Sequence, residues 1–183
     1  MNYFVLTGDP GVGKTTLTKK LCSSLNKNGI KTVGFITEEV RRNRVREGFD
    51  IVALNGLRGR LARDQSLLDV PTKYAVGKYG VLIEEFESIA LQSLHNVDVP
   101  KTCLIIDEIG KMELFSVAFK NKVKEIFSNN KYIVVATIPS RKSDALIESI
   151  RCRSKVWTVT RENRNNLHEE IMKEITSCFS NSN

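Results

Sequence analysis

Gly8-Asp9-Pro10-Gly11-Val12-Gly13-Lys14-Thr15 fills every defined position of the pattern G-x-x-x-x-G-K-[ST]. It follows a short apolar run, Tyr3-Phe4-Val5-Leu6-Thr7, and opens a segment in which Leu17, Leu21 and Leu25 recur at spacing four. A strand that stops in a glycine-rich turn and restarts as an amphipathic helix is the context that gives this pattern physical meaning. The glycines let successive backbone N–H groups turn toward phosphate oxygens, and the helix adds the partial positive charge of its N-terminus. Lys14 is then expected to reach the outer phosphates of a nucleotide, and the Thr15 hydroxyl to take a place on Mg²⁺. The predicted nucleotide-binding set at this turn is Gly8, Asp9, Pro10, Gly11, Val12, Gly13, Lys14 and Thr15.

Working outward, apolar runs alternate with helical stripes. Lys31 to Glu38 reads as a second strand, Thr102 to Ile106 as a third and Tyr132 to Ile138 as a fourth, closed by Pro139. Phe86, Ile89, Ala90 and Leu94 mark one helix, and Phe115, Ala118, Phe119, Val123 and Ile126 another. A short helix near 143–151, a strand at 155–160 and a last helix over about 163–179 complete the chain, with a polar tail from Ser180 expected to fray. Continuously apolar strands separated by amphipathic helices predict a largely parallel sheet covered on both faces, a three-layer α/β/α architecture. Between about 40 and 80, short β-prone runs broken by Gly48, Gly56, Gly59, Gly77 and Gly80 predict one or two inserted hairpins. At 183 residues the chain fits one domain over 1–183.

The third strand runs straight into two carboxylates, Ile105-Ile106-Asp107-Glu108. An unpaired charge at the end of a buried strand is costly, so these acids must reach water or meet a cation. Beside a phosphate loop, a neighbouring parallel strand delivers an Asp to the Mg²⁺ shell, and Asp107 stands where that strand ends. Thr15 and Asp107 are thus the expected metal residues. Glu108 is placed to orient and deprotonate a water aimed at the terminal phosphate, which tilts the reading from phosphate transfer toward hydrolysis. The expected catalytic residues are Glu108 and Lys14.

Composition bounds the alternatives. With 41% hydrophobic and 27% charged residues the chain reads as an ordinary globular protein, and no apolar run approaches a membrane span. No secretory leader is legible in MNYFVLTGDPG, and the cysteines at 22, 103, 152 and 178 show no metal-ligand spacing. Reduced thiols in an intracellular, cytoplasmic protein are expected. A net charge of +7 favours an anionic partner.

The sequence resembles the THEP-type nucleoside-triphosphatase family. The matching pieces are GDPGVGKTT (8–16), GFITEEVR (34–41), GFDIV (48–52), IIDEIGKMELF (105–115), TIP (137–139) and VTRENR (159–164), in order along nearly the whole chain. The resemblance implies a P-loop NTPase fold with a RecA-like sheet and slow Mg²⁺-dependent hydrolysis of several nucleoside triphosphates. It also puts nucleotide contacts on Cys103, Leu104, Ile105, Ile106, Asp107, Glu108, Ile109 and Gly110. Breadth in the base agrees with the absence of an N-K-x-D guanine motif, since Asn121-Lys122-Val123-Lys124 lacks the Asp.

Seven arginines crowd residues 41 to 63: Arg41, Arg42, Arg44, Arg46, Arg58, Arg60 and Arg63. If 42–46 is a strand, Arg42, Arg44 and Arg46 share one face and could meet polyphosphate or nucleic acid; a solvated, edge-protecting hairpin is the favoured reading. Glu38 and Glu39 end the second strand on the loop's edge, near the metal or the attacking water or as plain surface acids. Lys111 could face the phosphates or simply be solvated, and Thr137 could sense the terminal phosphate or serve strand-end hydrogen bonding. Asn163 or Arg164, at the opening of the last helix, could touch base or ribose, although a helix-start cap centred on Thr160 explains much of the same pattern. Arg141, Arg151 and Arg153 are candidates for a charge-stabilising arginine, with none singled out. Nucleoside triphosphates are the expected partners of a monomeric chain, with no membrane partner and nucleic acid less favoured. The rival readings are a nucleotide or nucleoside kinase and a nucleotide-dependent nucleic-acid binder.

Overall fold

The computed structural model describes residues 1–95, 97 and 100–180. β1 (Tyr3–Gly8) leads through the glycine turn into α1 (Lys14–Lys27), and β2 (Lys31–Arg42), β3 (Val45–Ala53) and β4 (Arg58–Asp64) follow as a meander. Then come β5 (Tyr74–Val76), β6 (Tyr79–Val81), α2 (Ile83–Ser93), β7 (Thr102–Ile106) and α3 (Val117–Ile126). The chain continues through β8 (Ile133–Pro139), α4 (Ala145–Arg153), β9 (Lys155–Thr158) and α5 (Leu167–Ser180).

Nine strands form one sheet in the order β5-β6-β4-β3-β2-β7-β8-β1-β9. β2, β7, β8, β1 and β9 are mutually parallel. β3, β4, β6 and β5 extend the sheet antiparallel. The parallel strands are apolar on both faces because both faces are covered. In β1, Tyr3 and Val5 join a core with Phe35, Phe86 and Phe119 beneath α2 and α3, while Phe4 and Leu6 pack with Leu17, Leu21, Leu25, Ile171 and Ile175 of α1 and α5. Each fully buried aliphatic or aromatic side chain of this kind contributes about 1.5–3 kcal/mol. The alternation within single strands, and not any one contact, fixes three layers. Trp157 lies in the second core, stacked against Phe4 with Nε1 donating to Glu170.

β2 is longer than the segment Lys31 to Glu38 and serves two halves of the sheet. Its residues 31–35 pair parallel with β7, and from Phe35 onward it pairs antiparallel with β3. At Gly34 the two parallel backbones come so close that a Cβ would lie 2.0 Å from the Ile105 carbonyl oxygen, and φ there is 120°. The β2–β3 turn corrects the expectation of a strand across 42–46. Asn43 and Arg44 have φ of 49° and 66°, the two positive values of a tight hairpin turn, so Arg44 sits at the tip and shares no strand face with Arg42 and Arg46. The last helix also begins later than about 163: residues 161–166 form turns and α5 starts at Leu167. The tail expected to fray from Ser180 starts later: Ser180 is the last residue of α5, its Oγ donating to the Thr176 carbonyl, and the rest of that expectation falls on residues 181–183, outside the described residues. Among the described residues, no helix is long and apolar enough to cross a membrane.

Candidate nucleotide site

The C-terminal ends of β1, β8, β7 and β2 meet on one edge of the sheet. Between β1 and α1 the chain turns through Gly13, whose φ of 108° is open to glycine at little cost, and a Cβ there would press on the Arg164 side chain at 3.3 Å. No side chain caps α1, whose N-cap is Gly13. The first-turn N–H groups of the helix are therefore left for a ligand, as an anion-binding terminus requires. Lys14, 9% exposed, folds back over the loop, with Nζ donating to the carbonyls of Gly8 at 2.6 Å and Asp9 at 3.2 Å.

Asp107 is 1% exposed at the end of β7. Thr15 Oγ1 donates to its Oδ2 at 2.7 Å and Thr137 Oγ1 to its Oδ1 at 2.5 Å. Burial pushes the Asp107 carboxyl up; the hydroxyls of Thr137 and Thr15, the Lys14 ammonium and the Thr37 amide pull the other way. The backbone around it is stitched to both neighbours, Asp107 N–H to the Phe35 carbonyl and Ile109 N–H to the Thr137 carbonyl. One detail departs from expectation. β7 is not adjacent to β1, because β8 lies between them, and it is β8 that supplies Thr137. The hydroxyl expected to sense a phosphate is bound to Asp107 instead.

Glu108 follows through a cis peptide bond and is half-buried. Burial first, and then the Asp107 charge, raise its carboxyl above the usual range, while Lys14 opposes them. Across Gly110 stands Glu113, an acid 5% exposed in a short 3₁₀ turn. A Cβ on Gly110 would lie 2.7 Å from Glu108 Oε1 and 3.0 Å from Glu113 Oε2. Sequence reasoning passed over Glu113, although an acid inside Met-Glu-Leu-Phe is itself a signal of an unusual environment.

Other expected residues separate clearly. Cys103, Leu104, Ile105 and Ile106 are at most 1% exposed inside β7, so they carry Asp107 and offer no surface to a ligand; Ile109 is likewise buried. Asp9 accepts from Ser140 Oγ at 3.0 Å, which ties the glycine loop to the end of β8. Glu38 is held by Lys19 and Arg58, and Glu39 by Arg41 and Arg46, so both acids are engaged in ion pairs. Arg42, Arg60 and Arg63 are paired with Glu47, Glu85 and Asp50. Asn163 is committed to Thr160 in a reciprocal pair, Thr160 N–H to Asn163 Oδ1 and Asn163 N–H to Thr160 Oγ1. Arg164 lies against the loop, with Nη1 3.4 Å from the Val12 carbonyl. Lys111 is exposed on the same rim.

A sequence profile of the NTPase family matches residues 3–172. The chain belongs to that family. It is 46% identical over 185 residues to the cancer-related nucleoside-triphosphatase homolog of Mus musculus, covering 96% of this chain and 97% of that one. Its structure is similar to the crystal structure of THEP1 from the hyperthermophile Aquifex aeolicus, with a TM-score of 0.83 at 38% identity over 94% of this chain and 98% of the other. It is also similar to the solution structure of a human cancer-related nucleoside triphosphatase, with a TM-score of 0.80 at 42% identity over 100% of both chains. The P-loop NTPase fold expected from Gly8–Thr15 is the fold of this family member. Its strand order places β8 between the loop strand and the Asp107 strand.

Proposed function

We propose that the protein is a Mg²⁺-dependent nucleoside-triphosphate phosphatase of broad base specificity, releasing nucleoside diphosphate and phosphate. The observation that carries this reading is the 2.7 Å contact between Thr15 Oγ1 and Asp107 Oδ2. It joins two hard oxygen donors at the mouth of a loop that ends in an uncapped helix. Among the described residues no cluster of three or more His, Cys, Asp or Glu could hold a metal alone. One hydroxyl and one carboxylate suit Mg²⁺, which takes few protein ligands and completes its shell with waters and substrate phosphates. Bound there, the ion would neutralise phosphate charge.

The chain's own residues would divide the remaining work. The loop amides and Lys14 hold the phosphates, Lys14 moving from the Gly8 and Asp9 carbonyls to phosphate oxygens. Glu108, its carboxyl raised by burial and by Asp107, takes a proton from the attacking water. Base discrimination is weak in this reading because Asn163 is tied to Thr160 and to the Thr158 carbonyl, and Arg164 presents a guanidinium that suits any base. The whole chain acts as one domain, as a monomer inside the cell.

The test is phosphate release from each common triphosphate, with and without Mg²⁺, for the native protein and Glu108→Gln, alongside binding of a non-hydrolysable analogue. The reading expects release without any acceptor and a variant that binds but does not turn over. Transfer to an acceptor with no free phosphate would overturn it in favour of a kinase.

A further inference from the structure

Hydrolysis of a triphosphate forms a bond between the water oxygen and the γ-phosphorus and breaks the bond to the β–γ bridging oxygen. The electron pair departs on the diphosphate and the water proton passes to Glu108. Charge therefore gathers on the γ-oxygens and the bridging oxygen, and a cation placed there lowers the barrier. Lys14 and the loop amides already meet the phosphates of the bound substrate. An additional cation that engages only as the charge develops would raise turnover rather than affinity.

The arginines named as candidates are not equivalent in the structure. Arg151 is fully engaged below the loop: Nη2 donates to the Pro139 carbonyl at 2.7 Å, Nη1 to Thr7 Oγ1 at 3.3 Å, and Nε faces Glu148 at 3.3 Å. It acts as a strut under the end of β8. Arg153 reaches the Phe127 carbonyl beyond the end of α3, and Lys120, Lys124 and Phe127 line a cavity with it there. Arg164 rests on Val12 and Gly13, on the β9 flank of the loop.

Arg141 differs from all of these. It is exposed, and among the described residues it has no hydrogen bond or ion pair. Its backbone is nonetheless well placed. Pro139 is the register partner of Gly8, Ser140 is tied to Asp9 at 3.0 Å, and Arg141 is the next residue. Because β8 pairs with β1 on one side and β7 on the other, its C-terminal end lies between the strand that leads to Lys14 and the strand that leads to Asp107 and Glu108. The backbone of Arg141 is thereby held beside the glycine loop through its two preceding residues, and its guanidinium is without a partner among the described residues.

We propose that Arg141 is a catalytic residue, an arginine supplied from within the chain that stabilises the charge developing on the transferred phosphate. The proposal rests on the phosphatase reading above and extends it. The experiment compares Arg141→Ala, Arg141→Lys, Arg153→Ala and Lys14→Ala, measuring kcat, KM, affinity for a non-hydrolysable triphosphate, and capture of nucleoside diphosphate with aluminium fluoride. Arg141→Ala is expected to lose about 100-fold or more in kcat and to fail to capture the fluoride complex, with analogue affinity within about threefold of native. Added guanidinium ion should restore part of its turnover, Arg141→Lys should be intermediate, and Arg153→Ala should behave as the native protein does. Native kcat in Arg141→Ala, with Glu108→Gln inactive, overturns the assignment and leaves the phosphatase reading standing. Undiminished analogue binding in Lys14→Ala strikes at that reading instead.

Discussion

Thr137 Oγ1 donates a 2.5 Å hydrogen bond to Asp107 Oδ1, and it does so from the strand that separates β1 from β7. The carboxylate is thereby clamped between two threonines, one on each side, with Thr15 on the other oxygen. Losing one clamp frees the buried carboxylate to rotate. Thr137→Val keeps the volume and removes the hydroxyl; on the proposed role of Asp107 in holding Mg²⁺, it is expected to raise half-saturating Mg²⁺ about 10-fold while leaving the fold intact, since partners that orient a metal ligand typically matter 10–100-fold. A Mg²⁺ titration of phosphate release, with thermal unfolding as the control, checks this.

Gly34→Ala tests the close approach of β2 to β7. The added methyl would start 2.0 Å from the Ile105 carbonyl oxygen, at a φ of 120° that an L-residue resists. The backbones must part, and the loss is expected to be about 3 kcal/mol or more by urea unfolding. Because Ile105 stands two residues before Asp107, turnover should fall in the same variant.

Glu113 makes stability depend on pH. Burial pushes its carboxyl well above the ordinary value of 4.5, and the charge of Glu108 pushes the same way. Between the unfolded and the folded pKa, the native state keeps a proton that the unfolded chain has released. Stability from this group is therefore full in acid, below the unfolded pKa, and is lost as pH rises through the folded pKa. Glu113→Gln has no proton to lose. Its stability relative to the native protein is expected to improve as pH rises above the ordinary carboxylate range in denaturant melts, and a difference that stays constant with pH would contradict the assignment.

The thiols should separate by burial. Cys22 is pushed up to about 12 by burial and by the Asp107 charge, Cys103 lies still deeper and is raised further, and Cys152 is exposed on α4. A thiol-specific reagent at pH 7.5 should label Cys152 promptly and Cys22 and Cys103 at least about 100-fold more slowly, until denaturant is added. Mass spectrometry of timed samples gives the rates.

What could be read from the chain, and what could not, follows the range of the interactions. The parallel strands and α1 were legible because β1, β7 and β8 are buried on both faces and because Leu17, Leu21 and Leu25 share one stripe, both local properties. The loop, Asp107 and Glu108 were legible as residue types at the ends of those strands. The strand order was not: nothing in Tyr132 to Ile138 says that it inserts between β1 and β7. The hairpin tip at Asn43-Arg44 was not legible because the alternating arginines Arg42, Arg44 and Arg46 match a strand period as well as a turn, with no glycine and only an asparagine to mark positive φ. Of the two readings of Asn163, a ligand contact and a local cap centred on Thr160, the reciprocal pair with Thr160 is the one the structure contains. Thr137 on Asp107, Ser140 on Asp9 and Arg151 beneath Pro139 join residues far apart in the chain, where spacing carries no information.

β2 is a seam shared by two halves of the sheet, its first residues laid along β7 and its last along β3. The arginine-rich ribbon therefore cannot be trimmed away to leave a smaller working enzyme. Excising β3 to β6 would strip Phe35 and Ile36 of cover and open a row of unpaired amides on β2, the strand next to the one that carries Asp107, an adhesive margin that invites other chains to dock. In this protein the apparent ornament at the periphery is what keeps the chemical centre from becoming an edge.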